Sequence, residues 1–480
     1  MMMFNKIVLL ILSFFFLFIA APGTMLAQEA AKAEGTPKKG NGMMSLTKVA
    51  PVLTPISDYT GDIRNRFTLF GDIGGERQKL YERGVTFDAM FTQVYQGIAS
   101  GGKKDDTGEY HGLFEYGVTL DTGKLGVWPG GLIVANAYTS VGNTLFEDAG
   151  NLSPVNFNAL LPTPDPSRTF LMEYYLTQAL PTKTIVTIGR LNPSNFLDRS
   201  RFANDRRSQF LNAAMDNNVL IGSFLSFSTY AGLVVQPVNE HLSVYGAVFD
   251  PTAAPPDYGV EGGLFSDVGS GAGGEIRWEL GDGLGGTLNP VFIYSNKDTA
   301  EVDNPFFPID PQTDITLPIE VPSYSDNWGV IFTLDQYLWK PERAKKAQGA
   351  AADRPSPSAA FAFQEPGIGL FTRFGYTPDD RNLYYMYASG GIGARGVFPS
   401  RPYDRFGIGA YTLIKSDDFG SDGFGKLADV LLEDEVGLEA YYNLALTPAV
   451  QLSFDVQWID PGIKSTDNTV VLGTRLFIQF

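Results

Sequence analysis

Strict alternation of apolar and polar side chains, sustained over long stretches, is the feature that most restricts what this chain can fold into. Across residues 451–458, Leu452, Phe454, Val456 and Trp458 share one face while Gln451, Ser453, Asp455 and Gln457 share the other. Residues 435–442, 115–121 and 275–280 repeat the pattern. A repeat of two requires strands with one greasy and one wet face. A soluble sandwich would show the same alternation, but its strands average about five or six residues, whereas a tilted strand needs roughly nine to eleven to cross hydrocarbon. Here the alternating stretches approach the longer figure. Their links also tend to alternate between short (181–183, 238–241, 447–449) and long (140–168, 191–218, 250–273, 296–326, 416–434). Outer-membrane barrels are built in this way.

The expected fold is therefore an all-β transmembrane antiparallel barrel of about sixteen strands, preceded by a short periplasmic helix at residues 75–83. An even count brings both ends of the chain to the periplasmic side. The strands are expected at 86–97, 111–121, 131–139, 170–179, 184–190, 230–236, 242–249, 274–279, 289–295, 327–338, 367–376, 384–392, 406–415, 435–443, 451–459 and 469–480. Gly84 marks the end of the helix, since glycine accepts the left-handed conformation there. One link strains the scheme: 340–366 should be a short turn, yet it is long and rich in Ala, Lys and Pro, and is read as a mobile insertion.

Composition narrows the function classes. The 53 Gly, 35 Phe and 22 Tyr suit strands and turns. A formal charge of −17 leaves no electrostatic footprint for nucleic acid. With no Cys and only two His, His111 and His241, far apart in sequence, neither thiolate chemistry nor a His-rich metal centre is expected, and no cofactor is implied. An outer-membrane enzyme, such as a lipase barrel, would need a nucleophile with a nearby base; neither His has an evident Ser or Asp constellation, so no catalysis is expected.

Lys6 followed by the apolar run 7–21 has the layout of a secretory signal peptide, with cleavage expected after Ala27; a retained anchor is the alternative. Residues 28–70 read as a flexible leader and 71–480 as the barrel. The closing strand ends on Phe480 after Val470, Leu472, Leu476 and Ile478 on one parity, a pattern resembling the signal read by the outer-membrane assembly machinery.

Sixteen strands enclose more space than their own side chains fill, which implies an aqueous channel narrowed by inward loops. Parity assigns Glu115, Asp121, Glu275, Arg277, Glu279, Arg373, Glu435, Glu439, Asp455 and Arg475 to the lumen. The strongest candidate for the narrowing loop is 190–207, which gathers Arg190, Arg199, Arg201, Arg206 and Arg207 with Asn192, Asn195 and Asn204 in an otherwise acidic protein. Guanidinium forks and amides suit hydroxyl-rich solutes; the same groups would equally pair with the acidic wall or with phosphates of lipid and lipopolysaccharide. Glu173 and Tyr175, on the strand before, could face this cluster. The candidate solute-contacting residues are thus Glu115, Glu173, Tyr175, Arg190, Arg199, Arg206, Arg207, Arg277, Arg373 and Glu439.

Several short motifs occur in a telling order. Gly71-Asp72-Ile73-Gly74-Gly75-Glu76-Arg77 is followed by Leu80, Glu82-Arg83-Gly84-Val85 and Phe87; then come Gly126-Val127-Trp128-Pro129-Gly130-Gly131, Glu173-Tyr174-Tyr175 and Ile188-Gly189-Arg190. Asp335-Gln336-Tyr337-Leu338-Trp339, Gly369-Leu370-Phe371 and Pro378-Asp379-Asp380-Arg381-Asn382 complete the series. From about Gly71 to Phe480 the chain resembles the carbohydrate-selective porins of the OprB-like family. Ile73 stands where that family usually has Trp, and Arg190 where it commonly has Gln. The resemblance implies a monomeric or homotrimeric sixteen-stranded channel of the Gram-negative outer membrane, passing small sugars, monosaccharides such as glucose, by passive diffusion. The alternatives are a general or cation-preferring pore, which the acidic lumen would favour, and a soluble secreted β-protein.

Overall fold

The computed structural model describes Tyr59 and residues 61–161, 169–252, 265–281, 283–297, 324–342, 365–417 and 430–480. The expected signal peptide, most of the leader and most of the 340–366 insertion lie outside these residues. A short helix, α1 (Glu76–Glu82), precedes sixteen strands. They are β1 (Val85–Gly102), β2 (Gly108–Asp121), β3 (Gly131–Gly142), β4 (Thr169–Ala179), β5 (Ile185–Leu191), β6 (Thr229–Pro237), β7 (Leu242–Phe249) and β8 (Gly269–Leu280), then β9 (Leu284–Ser295), β10 (Asn327–Trp339), β11 (Gly367–Tyr376), β12 (Tyr384–Arg395), β13 (Arg405–Lys415), β14 (Glu435–Thr447), β15 (Val450–Asp460) and β16 (Asp467–Gln479).

Each strand pairs antiparallel with its neighbours in sequence, and β1 pairs with β16, so the sheet closes without an edge. In lipid, which offers no partner to an open strand, closure is obligatory. Burial is inverted relative to a soluble protein. Polar residues such as Glu115, Glu435, Glu439, Asp455 and Arg475 are buried inside, while Phe454, Val456, Leu438, Ile408 and Leu472 are exposed on the outer surface. Glu279 and Asp121, at the lower ends of their strands, behave differently. Glu279 is exposed, and the Asp121 carboxylate caps the β2–β3 turn by accepting from the Gly123 and Lys124 amides, both at 3.0 Å.

Strand β1 runs to Gly102 rather than Gly97, β9 begins at Leu284 rather than Asn289, and β8 begins at Gly269 rather than Gly274. The Gly-rich start of β8 carries almost no side-chain signal. The inner wall there is filled from β7: a Cβ on Gly269 would collide with the Phe249 ring, and one on Gly273 would sit 2.7 Å from Tyr245.

The N-terminal segment straps the closing seam. Gly84 follows α1 at φ +90°, and a Cβ there would lie 2.8 Å from the Asp121 carbonyl, so glycine is required both for conformation and for space. Arg77 donates from Nη1 to the Phe480 carbonyl at 2.9 Å and from Nη2 to the Phe87 carbonyl at 3.2 Å, tying β16 to β1. The Leu69 amide donates to the Gln479 carbonyl at 2.7 Å, and the rings of Phe70 and Phe480 stack 5.5 Å apart. Arg77→Ala removes these charge-assisted bonds and is expected to lower the stability of the closed barrel by about 1–3 kcal/mol, read as an earlier thermal transition in detergent. An unchanged transition would show that the strap contributes nothing to closure.

Candidate functional site: the lumen and its inward segment

The lumen is not an empty cylinder. Residues 192–228, between β5 and β6, fold back inside it, accompanied by 143–161 from the β3–β4 link. Phe202, Phe210, Ala213, Ala214, Met215 and Leu220 form one buried cluster with Phe157 and Leu161 and with the wall residues Phe371, Tyr387, Tyr411 and Tyr441. Burial of this apolar surface drives the segment inward, since it would otherwise lie in water. The backbone amides of its short helical turns are satisfied internally. Asn212 caps Ala213–Asp216 by accepting from the Ala214 amide at 2.9 Å, and Asn218 caps Val219–Ser223 through the Leu220 amide at 3.1 Å.

The wall is shaped to receive it. On β11 to β13 the inner face carries Gly369, Gly393, Gly407 and Gly409, and a methyl group added at any of them would meet Phe202, Phe210 or Met215 of the segment at 3.0 Å or less. Glycines thus form a trough in which these side chains are seated.

Charged wall residues hold the segment by its backbone. Glu439 accepts from the Leu211 and Asn212 amides at 2.5 and 3.1 Å. Glu435 accepts from Leu152 and Ser153 of the accompanying link at 2.6 and 2.9 Å. Arg475 donates to the carbonyls of Arg206 and Gln209 at 2.8 and 2.7 Å. Arg373 pairs with Asp198 of the segment at 2.8 Å and donates to the carbonyls of Ala203, Met215 and Asp216. Arg405 pairs with Asp205 at 2.7 Å. Glu115 receives both Arg206 and Arg207, the latter through Nε at 2.8 Å and Nη2 at 2.6 Å. At the start of the segment, Glu173 accepts from the Asn192 amide and from Asn136 Nδ2, both at 3.0 Å.

Of the two readings of the arginine-rich loop, pairing with the acidic wall therefore describes Arg206 and Arg207. Glu115, Glu173, Arg373 and Glu439 face the lumen as parity requires, yet their polar atoms are engaged in holding the segment. Tyr175 packs in a second buried cluster with Leu191, Leu197 and Phe224. Arg190 stands apart. Its register partners Tyr174 and Tyr230 lie on the face opposite Tyr175 and Leu233, so the β5 alternation turns it outward. There it is buried, bonded through Nε to Ser228 Oγ at 2.6 Å and stacked 5.1 Å over Tyr230.

Arg199 and Arg277 come together in a different part of the lumen. A recess between the segment and β6 to β9 is lined by Phe196, Arg199, Leu233, Tyr245, Glu275 and Arg277, with Val235, Ser243 and Asn289. Arg199 Nη1 lies 3.6 Å from Glu275, and Arg277 Nε bonds the other Glu275 oxygen. Arg277 Nη2 donates to Ser243 Oγ at 3.1 Å, and the Tyr245 hydroxyl donates to Asn289 Oδ1 at 2.6 Å. The side chains of Arg199, Glu275 and Arg277 keep 24%, 20% and 28% of their surface, whereas Arg373 and Asp198 keep none. The ionic groups of the recess are therefore partly wetted, while the Arg373–Asp198 pair that holds the segment is dry.

Sequence reasoning did not place Asp198, Asp205, Asp335 or Arg405 in the site. The signal was present for two of them: Asp198 and Asp205 directly precede Arg199 and Arg206, inside the segment already marked by its arginines. Asp335 accepts from Ser200 Oγ at 2.7 Å and from the Arg201 amide at 2.6 Å, a contact that no local pattern announces.

Comparison with known proteins agrees with this architecture. Residues 105–480 match the family described as carbohydrate-selective porin, OprB family. The high-pH structure of Pseudomonas putida OprB is similar at 19% identity, with 87% of this chain and 99% of that chain covered and a TM-score of 0.68. The low-pH structure of the same protein gives 14% identity, the same coverage and a TM-score of 0.51. No curated protein matches the chain.

Proposed function

From the premise that this chain belongs to the carbohydrate-selective porins of the OprB family, a channel of the Gram-negative outer membrane rather than an enzyme, we propose that its solutes are monosaccharides such as glucose and that they pass along the recess between the inward segment and β6 to β9. The observation that carries this reading is the division of the lumen: one side is filled by the seated segment, and the other keeps partly exposed guanidinium and carboxylate groups beside Phe196, Leu233 and Val235. A sugar ring offers both hydroxyls and an apolar face, and this lining offers a counterpart to each. The closing strand, ending on Phe480, is the proposed docking signal for the assembly machinery.

Single-channel recording during glucose titration tests the proposal. Glucose should reduce the ion current saturably, and Arg277→Ala should raise the half-blocking concentration by roughly tenfold, the equivalent of one charge-assisted hydrogen bond. A current that glucose never reduces, together with liposomes that do not swell in glucose, would defeat the sugar reading. Block that survives unchanged in Arg277→Ala would move the path elsewhere in the lumen.

A further inference from the structure

We propose that the recess favours sugars carrying a carboxylate, the uronic and aldonic acids, over neutral sugars of the same size. The inference rests on the path proposed above and assigns that path a solute charge. Among the ionic groups that line the recess, two arginines face one glutamate: Arg199 and Arg277 share Glu275. The lining is thus net positive, although the whole chain carries −17.

The neighbouring groups sharpen the imbalance. Arg201 lies on the same segment, its guanidinium 5.8 Å from the centre of the Tyr337 ring. The wall acid beside Arg201, Asp335, is buried and occupied by Ser200 Oγ and the Arg201 amide, so its carboxylate is engaged by the segment. Glu279 shares the parity of Glu275 and Arg277 but sits at the exposed lower end of β8, outside the recess lining.

The geometry suits an acidic sugar in a second way. A carboxylate is held best by guanidinium forks, which match its two oxygens. Phe196, Leu233 and Val235 supply the apolar part of the same lining, while Ser243 and Asn289 are buried and engaged by Arg277, by Tyr245 and by the Leu197 carbonyl. A solute with an anionic head and an apolar ring face meets both kinds of lining. A cation of the same size meets only Glu275, already shared by two arginines.

The test uses the full chain reconstituted in liposomes at low ionic strength, with D-glucuronate and D-glucose as probes. Glucuronate should enter about threefold faster, the factor expected for one net charge acting across roughly 6 Å of water. A potassium chloride gradient should give a reversal potential on the chloride side. Replacing both arginines, Arg199→Gln with Arg277→Gln, leaves Glu275 as the ionic group of the lining and should bring the glucuronate-to-glucose ratio below one, to about one-third, and shift the reversal potential toward potassium. Heat-modifiable migration confirms that the variant barrel is folded. Glucuronate slower than glucose in the native channel, or a ratio untouched by the double replacement, overturns the charge preference while leaving a sugar channel in place. Exclusion of both probes overturns the carbohydrate path itself and this inference with it.

Discussion

The Arg373→Ala channel is expected to conduct substantially more current than the native one and to lose discrimination between sugars of different size. Arg373 is the wall residue on which the inward segment converges: it pairs with Asp198 and binds three backbone carbonyls across residues 203–216. Truncation leaves the Asp198 carboxylate buried with only Thr333 Oγ1 at 2.8 Å and the Asn218 amide at 2.6 Å. Removing one member of a buried ion pair costs about 3–5 kcal/mol, because the other member remains desolvated without its counter-charge. The segment escapes that cost by leaving the wall, whereas the β-ladder, closed by its own hydrogen bonds, does not depend on this residue. Single-channel conductance should rise, and protease should gain access to residues 192–228, with heat-modifiable migration retained. A folded variant with native conductance would show that the segment stays seated without this anchor. Lys at the same position should recover only part of the effect, since an ammonium cannot reproduce the planar fork.

Gly393→Val should produce a similar outcome by steric means. A Cβ at Gly393 would lie 2.7 Å from Phe202 Cβ and 3.1 Å from the Phe202 carbonyl oxygen. Neither atom belongs to a freely moving side-chain end, so the segment must shift bodily. Overpacking of this kind costs about 1–3 kcal/mol, again at the seat of the segment rather than in the ladder. Gly232→Ala is the matched control, because nothing lies within 4 Å of the methyl group it adds. The expected result is raised and noisy conductance for Gly393→Val and native behaviour for Gly232→Ala. Equal behaviour of the two would remove the glycine trough as an explanation of how the lumen is narrowed.

Much of the architecture was legible in the residues. Each of the sixteen expected segments has a strand in the barrel, and the ends missed by most, the close of β1 and the starts of β8 and β9, are rich in Gly, which leaves little side chain to alternate. Parity also sent Glu115, Arg373, Glu435, Glu439, Asp455 and Arg475 to the correct face. The use of those groups was less legible. An acidic lumen suggests a cation-preferring path when residues are counted along the chain. In the fold, most of those acids are occupied by amides and arginines of the inward segment, and the wetted recess is lined by two arginines and one glutamate. Arg190 shows the complementary difficulty: it lies within an arginine-rich stretch, yet the last turn of alternation in β5 carries it to the outer face.

The strand count, the sorting of each strand into a lipid face and an inner face, and the choice of an arginine-rich loop as the one that narrows the lumen follow from the sequence alone, because a period of two and local composition are properties of neighbouring residues. Which carboxylate meets which amide, where glycines leave room for Phe202 and Met215, and which part of the lumen stays wet were decided only by the closed barrel. Those contacts join residues more than a hundred positions apart, such as Glu439 with Leu211 and Arg373 with Asp198, and the free energy of a buried charge depends on what surrounds it in space rather than on what precedes it in the chain.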